Sequence, residues 1–196
     1  MYIFDEVALA RSLEALPDQA KIAFAAAAAT RQLGSYERLA RLKTEPAQRP
    51  SEIAVQLWDD LSAVAFNRIS WSARLDEVMG LLPEESDDWT VVHALAEDAL
   101  SSLAYAIRCL LTLDPQEATW AGRRAYEAAD QAAIHVLGDR LGMPQSEDLI
   151  NSHRLVQREL ERQRNDLAML HGGALNEVRE RAFSNESLTN EEASSF

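Results

Sequence analysis

The chain has 196 residues, 47% of them hydrophobic and 26% charged, with a formal net charge of −13. That length suits one domain with a sizeable core, and so acidic a chain repels nucleic acid while staying soluble and attracting basic partners. Seven glycines and six prolines are few against abundant alanine, leucine, glutamate and arginine, so the composition predicts an all-α fold.

Lys21 and Lys43 are the only lysines among 19 basic residues; the remaining arginines are suited to bidentate pairing with carboxylates. Cys109 is the only cysteine, which excludes an intramolecular disulfide and a cysteine metal cluster, and on a helix it is expected to be a small buried hydrophobe. The amino terminus lacks a basic segment followed by an apolar one, and the longest apolar run, Ile22–Ala29, is too short to span a bilayer. We therefore expect a cytoplasmic protein without a membrane partner.

In chain order, Asp5 is expected to cap a helix reaching about Leu16, with Val7, Leu9, Leu13 and Leu16 apolar. Pro17-Asp18 opens a second helix that is expected to end at Gly34, a C-terminal cap. Its alanine-covered centre predicts core and close approach by neighbours. Ser35 opens a short helix, and Thr44–Pro50 reads as a loop. A helix from Ser51 to about Ile69 follows, then a piece over Ser72–Leu82 and the acidic connection Pro83–Asp88. Trp89–Gly138 reads as two long helices joined by a tight turn at Asp114-Pro115. After a break at Gly142-Met143-Pro144, Ser146 begins a long amphipathic helix ended by Gly172-Gly173. A short helix to Phe183 completes the expectation: residues 1–183 as a single-domain all-α bundle of about seven helices around the Trp89–Gly138 hairpin. Residues 184–196 are expected to be a disordered acidic C-terminal tail.

Four acids mark the hairpin. Counted from the turn, Glu97 and Asp98 face residues 130 and 131, roughly 24 Å along the arms at 1.5 Å per residue. Glu127 and Asp130 share a helix face. Carboxylates on facing helices can build a Mg²⁺ site, and Glu97, Asp98, Glu127 and Asp130 form a minority reading of that kind. All-α nucleotide pyrophosphatases use paired Glu-x-x-Glu and Glu-x-x-Asp elements, and only Glu127–Asp130 fits that pattern, so no metal and no cofactor are the primary expectation. Asp98 lies in the apolar stripe Val91, Leu95, Ser102, Tyr105, Cys109. Burying it requires a partner: Arg123, Arg124, a tyrosine hydroxyl or a backbone amide. It is expected to be a structural buried acid.

Between Leu75 and Ile107 there are eight acids and no lysine or arginine. Six of them, Asp76, Glu77, Glu84, Glu85, Asp87 and Asp88, frame an exposed connection. They are either a solvated loop or a surface that steers a basic partner. The four histidines stand at no metal-ligand spacing, and no nucleophile–base motif or glycine-rich phosphate loop is present. The tryptophans at 58, 71, 89 and 120 read as core or helix-end anchors.

The segments LEALPDQAKIAFAAAAATR, IAVQLWDDL, HALAEDALSSLAYAI, AGRRAYEAADQAA and LVQRELERQRNDLAML resemble the YjaG-type bacterial proteins, small all-helical proteins of unknown function. The resemblance spans about Leu13–Leu170, implies an all-α domain, and carries over no catalytic residue. The expectation is thus a non-enzymatic binding protein, specifically an immunity-type inhibitor neutralising a basic bacterial toxin such as a nuclease. The alternatives are a Mg²⁺-dependent nucleotide hydrolase using the hairpin acids and a homodimeric scaffold using the alanine-lined faces.

Overall fold

Asp5 accepts a hydrogen bond from the Ala8 amide at 2.9 Å and so starts α1 (Glu6–Glu14). The structure, a computed structural model, describes residues 1–84, 87–138 and 146–193. Over these residues the chain is all helical, without a strand. The elements are α2 (Asp18–Lys43), α3 (Arg49–Ala63), α4 (Arg68–Met79), α5 (Val91–Thr112) and α6 (Pro115–Leu137), then α7 (Ser146–Ser152), α8 (Arg154–His171), α9 (Leu175–Ser184) and α10 (Asn190–Ala193). They form a helical bundle, as expected, with ten helices among the described residues where about seven were expected. None is long and apolar enough to cross a membrane.

The expected hairpin is present. Leu113 adopts a left-handed φ of +63°, and Asp114 caps α6 through the Gln116 amide. The expected register holds too, since Gln131 Nε2 donates to Asp98 Oδ2 at 3.3 Å. The hairpin lies against α2, which is the innermost helix: every residue from Ile22 to Leu33 is buried. A helix without a polar face can only be accommodated in the middle of a bundle. Its alanines let α5 and α6 come close. The same closeness joins α5 to α6 by a hydrogen bond from Ser102 Oγ to the Ala121 carbonyl at 3.0 Å.

Several boundaries differ from expectation. Gly34 does not end α2; the helix runs nine residues further, to Lys43, because Ser35, Tyr36, Leu39 and Ala40 are buried by its continuation. That burial outweighs the roughly 1 kcal/mol cost of a mid-helix glycine. The helix expected over Ser51–Ile69 stops at Ala63, where Val64 turns left-handed, and Asn67 caps a separate α4 through the Ser70 amide. The helix expected from Ser146 is divided at His153, whose extended backbone and ring Nδ1 cap α8. It does end at Gly172-Gly173. The break expected at Gly142-Met143-Pro144 lies outside the described residues.

Residues 184–193, expected to belong to a disordered tail, pack against the body. Leu188 is buried, and the Ser187 amide donates to the Arg31 carbonyl at 2.8 Å. Acid-rich composition predicts disorder, but here arginines on α2 and α8 satisfy the segment. Residues 194–196 lie outside the described residues. Cys109, Trp58 and Trp71 are fully buried. Burial pushes the Cys109 thiol up to about 12, while the indoles are satisfied by Thr30 Oγ1 at 3.0 Å and Asp60 Oδ2 at 2.9 Å.

Candidate functional site

The acidic connection joins the end of α4 to the start of α5. Asp76 is exposed on α4, and Glu84, Asp87 and Asp88 are exposed in the connection; Glu85 lies outside the described residues. Glu77 has another role. The Arg49 guanidinium holds it bidentately at 2.6 and 2.9 Å, and that hydrogen bonding keeps its carboxyl below the usual range. Asp76, Glu84, Asp87 and Asp88 make no ion pair among the described residues. The start of α5 is closed by His93, which accepts the Thr90 amide at 3.3 Å and stacks on Trp89.

The hairpin acids are arranged around arginines. Asp98, 2% exposed, receives Arg124 Nη1 at 3.1 Å in addition to Gln131. Arg124 also pairs with Glu127 at 3.2 Å, and Arg123 holds Glu127 at 2.8 Å and Glu6 at 3.2 Å. Burial pushes the Asp98 carboxyl up to about 7; Arg124 opposes this, while Glu127 and Glu97 add to it. Asp130 is also raised, first by burial and then by Glu127. Among the described residues no group of three or more His, Cys, Asp or Glu side chains could hold a metal ion. The carboxylates of the minority metal reading therefore do not converge, because Arg124 stands between Asp98 and Glu127.

The sequence marks Asp98 for burial, and among the described residues the structure buries three more acids: Glu117, Glu159 and Asp166. The last two meet Arg31 from α2. Arg31 Nη1 lies 2.6 Å from Asp166 Oδ2, and Nη2 lies 3.1 Å from Glu159 Oε1. Gln163, one turn from Glu159, donates to its Oε1 at 3.0 Å and to the Gly122 carbonyl at 2.9 Å. Burial alone would lower the Arg31 affinity for its proton, and the two carboxylates reverse that. Burial raises Asp166, against the pull of Arg31. Among the described residues, Arg31 Nε and Glu159 Oε2 have no hydrogen-bond partner. The sequence shows only half of this cluster: Glu159, Gln163 and Asp166 share a helix face, but nothing local joins them to Arg31, which follows the Ile22–Ala29 run and Thr30. An arginine just past an alanine run reads as a helix end until its partner helix is known.

The C-terminal arm crosses the other end of α8. Arg158 binds Glu192 with both terminal nitrogens, at 3.0 and 2.9 Å, and Arg154 adds a contact at 2.9 Å. Burial would raise the Glu192 carboxyl, but hydrogen bonds from Arg158 and the Thr189 amide, with the charges of Arg158 and Arg154, hold it down at about 2.

No family model matches the chain, and no curated protein does. Among solved structures, a DUF416 family protein from Shewanella baltica superposes with a TM-score of 0.75 at 18% identity, over 89% of this chain and 93% of that one. At that identity the likeness is one of fold: the chain shares the helical arrangement of a DUF416 family protein.

Proposed function

We propose that the protein is a cytoplasmic, non-enzymatic binding protein that engages a basic protein through Asp76, Glu84, Asp87 and Asp88. Its specific role is that of an immunity-type inhibitor that masks a basic bacterial toxin, such as a nuclease. One observation carries the reading: these four carboxylates are exposed and without ion pairs among the described residues, whereas Glu77, Asp98 and Glu127 are taken up by arginines. With a chain charge of −13, such a surface accelerates encounter with a cationic partner at low salt. We read the chain as a YjaG-type protein on the helical segments that carry that resemblance, and the fold shared with the DUF416 family protein is compatible with it.

Capture from a lysate of the producing cell at low and high salt tests the reading, with wild type beside an Asp87→Lys, Asp88→Lys variant. A basic protein should be held by wild type at low salt, released at high salt and lost by the variant. If the captured protein is a nuclease, adding wild type should block its cleavage. No protein partner under either salt condition would sink the proposal.

A further inference from the structure

The arm that follows α9 is held by contacts that read a peptide, backbone first. Arg38 Nη2 donates to the Leu188 carbonyl at 2.7 Å, Arg158 Nη2 donates to the Ser187 carbonyl, and the Ser187 amide donates to the Arg31 carbonyl. Leu188 is the apolar anchor, packed in a cluster with Leu95, Ala128, Ala132 and Leu155 from α5, α6 and α8. Glu192, four residues on, is the charged anchor, clamped by Arg154 and Arg158. A bidentate arginine on a carboxylate adds geometric selectivity to its charge.

The arm does not fill the trough it lies in. Beside Leu188 an apolar groove of about 320 Å³ stays open, lined by Arg38, Arg41, Leu42, Val92 and Leu95. Leu42 is among the most exposed large apolar side chains of the chain. In so acidic a protein, Arg38 and Arg41 line this groove, near Glu186 at 3.7 Å and Glu37 at 3.6 Å respectively, while Arg154 and Arg158 hold the Glu192 end of the arm. The arm's bed is thus complementary in charge to an acidic segment and in shape to an aliphatic anchor. Such a surface suits an extended peptide, and the protein's own arm occupies part of it.

The geometry points to a peptide-binding site in the trough between α2, α5, α6 and α8, masked by the arm, that takes an acidic segment of a partner protein bearing a leucine followed four residues later by a glutamate. A partner segment gains over the arm by placing a further apolar side chain in the open groove. The arm, being tethered, competes at high effective concentration and raises the threshold for entry. This site lies apart from Asp76–Asp88, and its failure would leave the basic-partner reading untouched.

The test uses the full-length chain and a labelled nonapeptide with the sequence of residues 185–193. A chain carrying Leu188→Ala and Glu192→Gln, which loosens the arm, should bind the peptide roughly tenfold or more tightly than wild type does, because the site is open in a larger fraction of molecules. Arg158→Ala in the loosened chain should abolish that binding. A loosened chain with wild-type circular dichroism that does not bind the peptide overturns the proposal. So does a concentration-dependent dimer of the loosened chain by light scattering, since a second copy's arm would then be the occupant. If the loosened chain does not fold, hydrogen exchange at the Ser187 amide of wild type decides. Exchange well ahead of the Ala27 amide in α2 supports a removable arm, and exchange at the same rate as Ala27 overturns it.

Discussion

Arg31 and Asp166, 135 residues apart in the chain, meet at 2.6 Å in the interior, with Glu159 on the other guanidinium nitrogen. This contact ties the innermost helix to α8. It places one buried cation against two buried anions, with Gln163 as the neutral member.

Removing the cation alone should be costly. In Arg31→Met, Glu159 and Asp166 remain buried without compensation, and stability in urea should fall by about 3–5 kcal/mol. Replacing all three, Arg31→Met with Glu159→Leu and Asp166→Leu, removes the uncompensated charge and should recover most of that loss. A triple variant as unstable as the single one would mean that the ion cluster itself, and not the orphaned acids, sets the stability.

Asp98 predicts a pH dependence with a definite sign. Its carboxyl titrates at about 7 in the folded protein, against about 3.9 in an unfolded chain. Between those values the folded state holds a proton that the unfolded state has released, so its contribution to stability is full below pH 4 and is lost as pH rises through 7. Asp98→Asn cannot titrate. Its stability relative to wild type should therefore improve from pH 5 to pH 8, measured by denaturant melts at both values. A difference independent of pH would show that Asp98 is ionised throughout.

Two glycines on neighbouring helices should respond oppositely to alanine. A Cβ at Gly34 would meet the Glu186 carboxyl at 3.7 Å, an ordinary contact, so Gly34→Ala should stabilise α2 by about 0.5–1 kcal/mol. A Cβ at Gly122 would stand 3.0 Å from Phe24 Cε1 and 3.2 Å from Leu9 Cδ2. Phe24 is fully buried and has nowhere to move, so Gly122→Ala should destabilise by about 1–3 kcal/mol through overpacking. Thermal melts of the two variants check both signs.

Local signals served well where a helix ends in its own residues. Asp5, Pro17, the Asp114-Pro115 turn and Gly172-Gly173 all act where side-chain chemistry and φ preference place them. They served poorly at Gly34, where packing by distant helices carries α2 onward, and at Asn67 and His153, where polar side chains inside apparently periodic stretches are caps. Asp98 was legible as an anomaly because a single acid interrupted an apolar stripe. The Arg31 cluster was not, because its members lie on helices whose mutual orientation no local pattern encodes.

The sequence by itself determined that this protein is helical, that its hairpin turns at Asp114-Pro115 with residues 98 and 131 facing, and that its alanine-rich segment is core. These follow from propensity, periodicity and chain geometry, all local quantities. Only the tertiary structure decided which helix lies innermost, which acids are neutralised and which are left exposed. The same holds for the arm, whose Leu188 and Glu192 are docked although their composition reads as a tail. Burial and charge pairing are properties of groups brought together from far along the chain, and they exist only once the helices have packed.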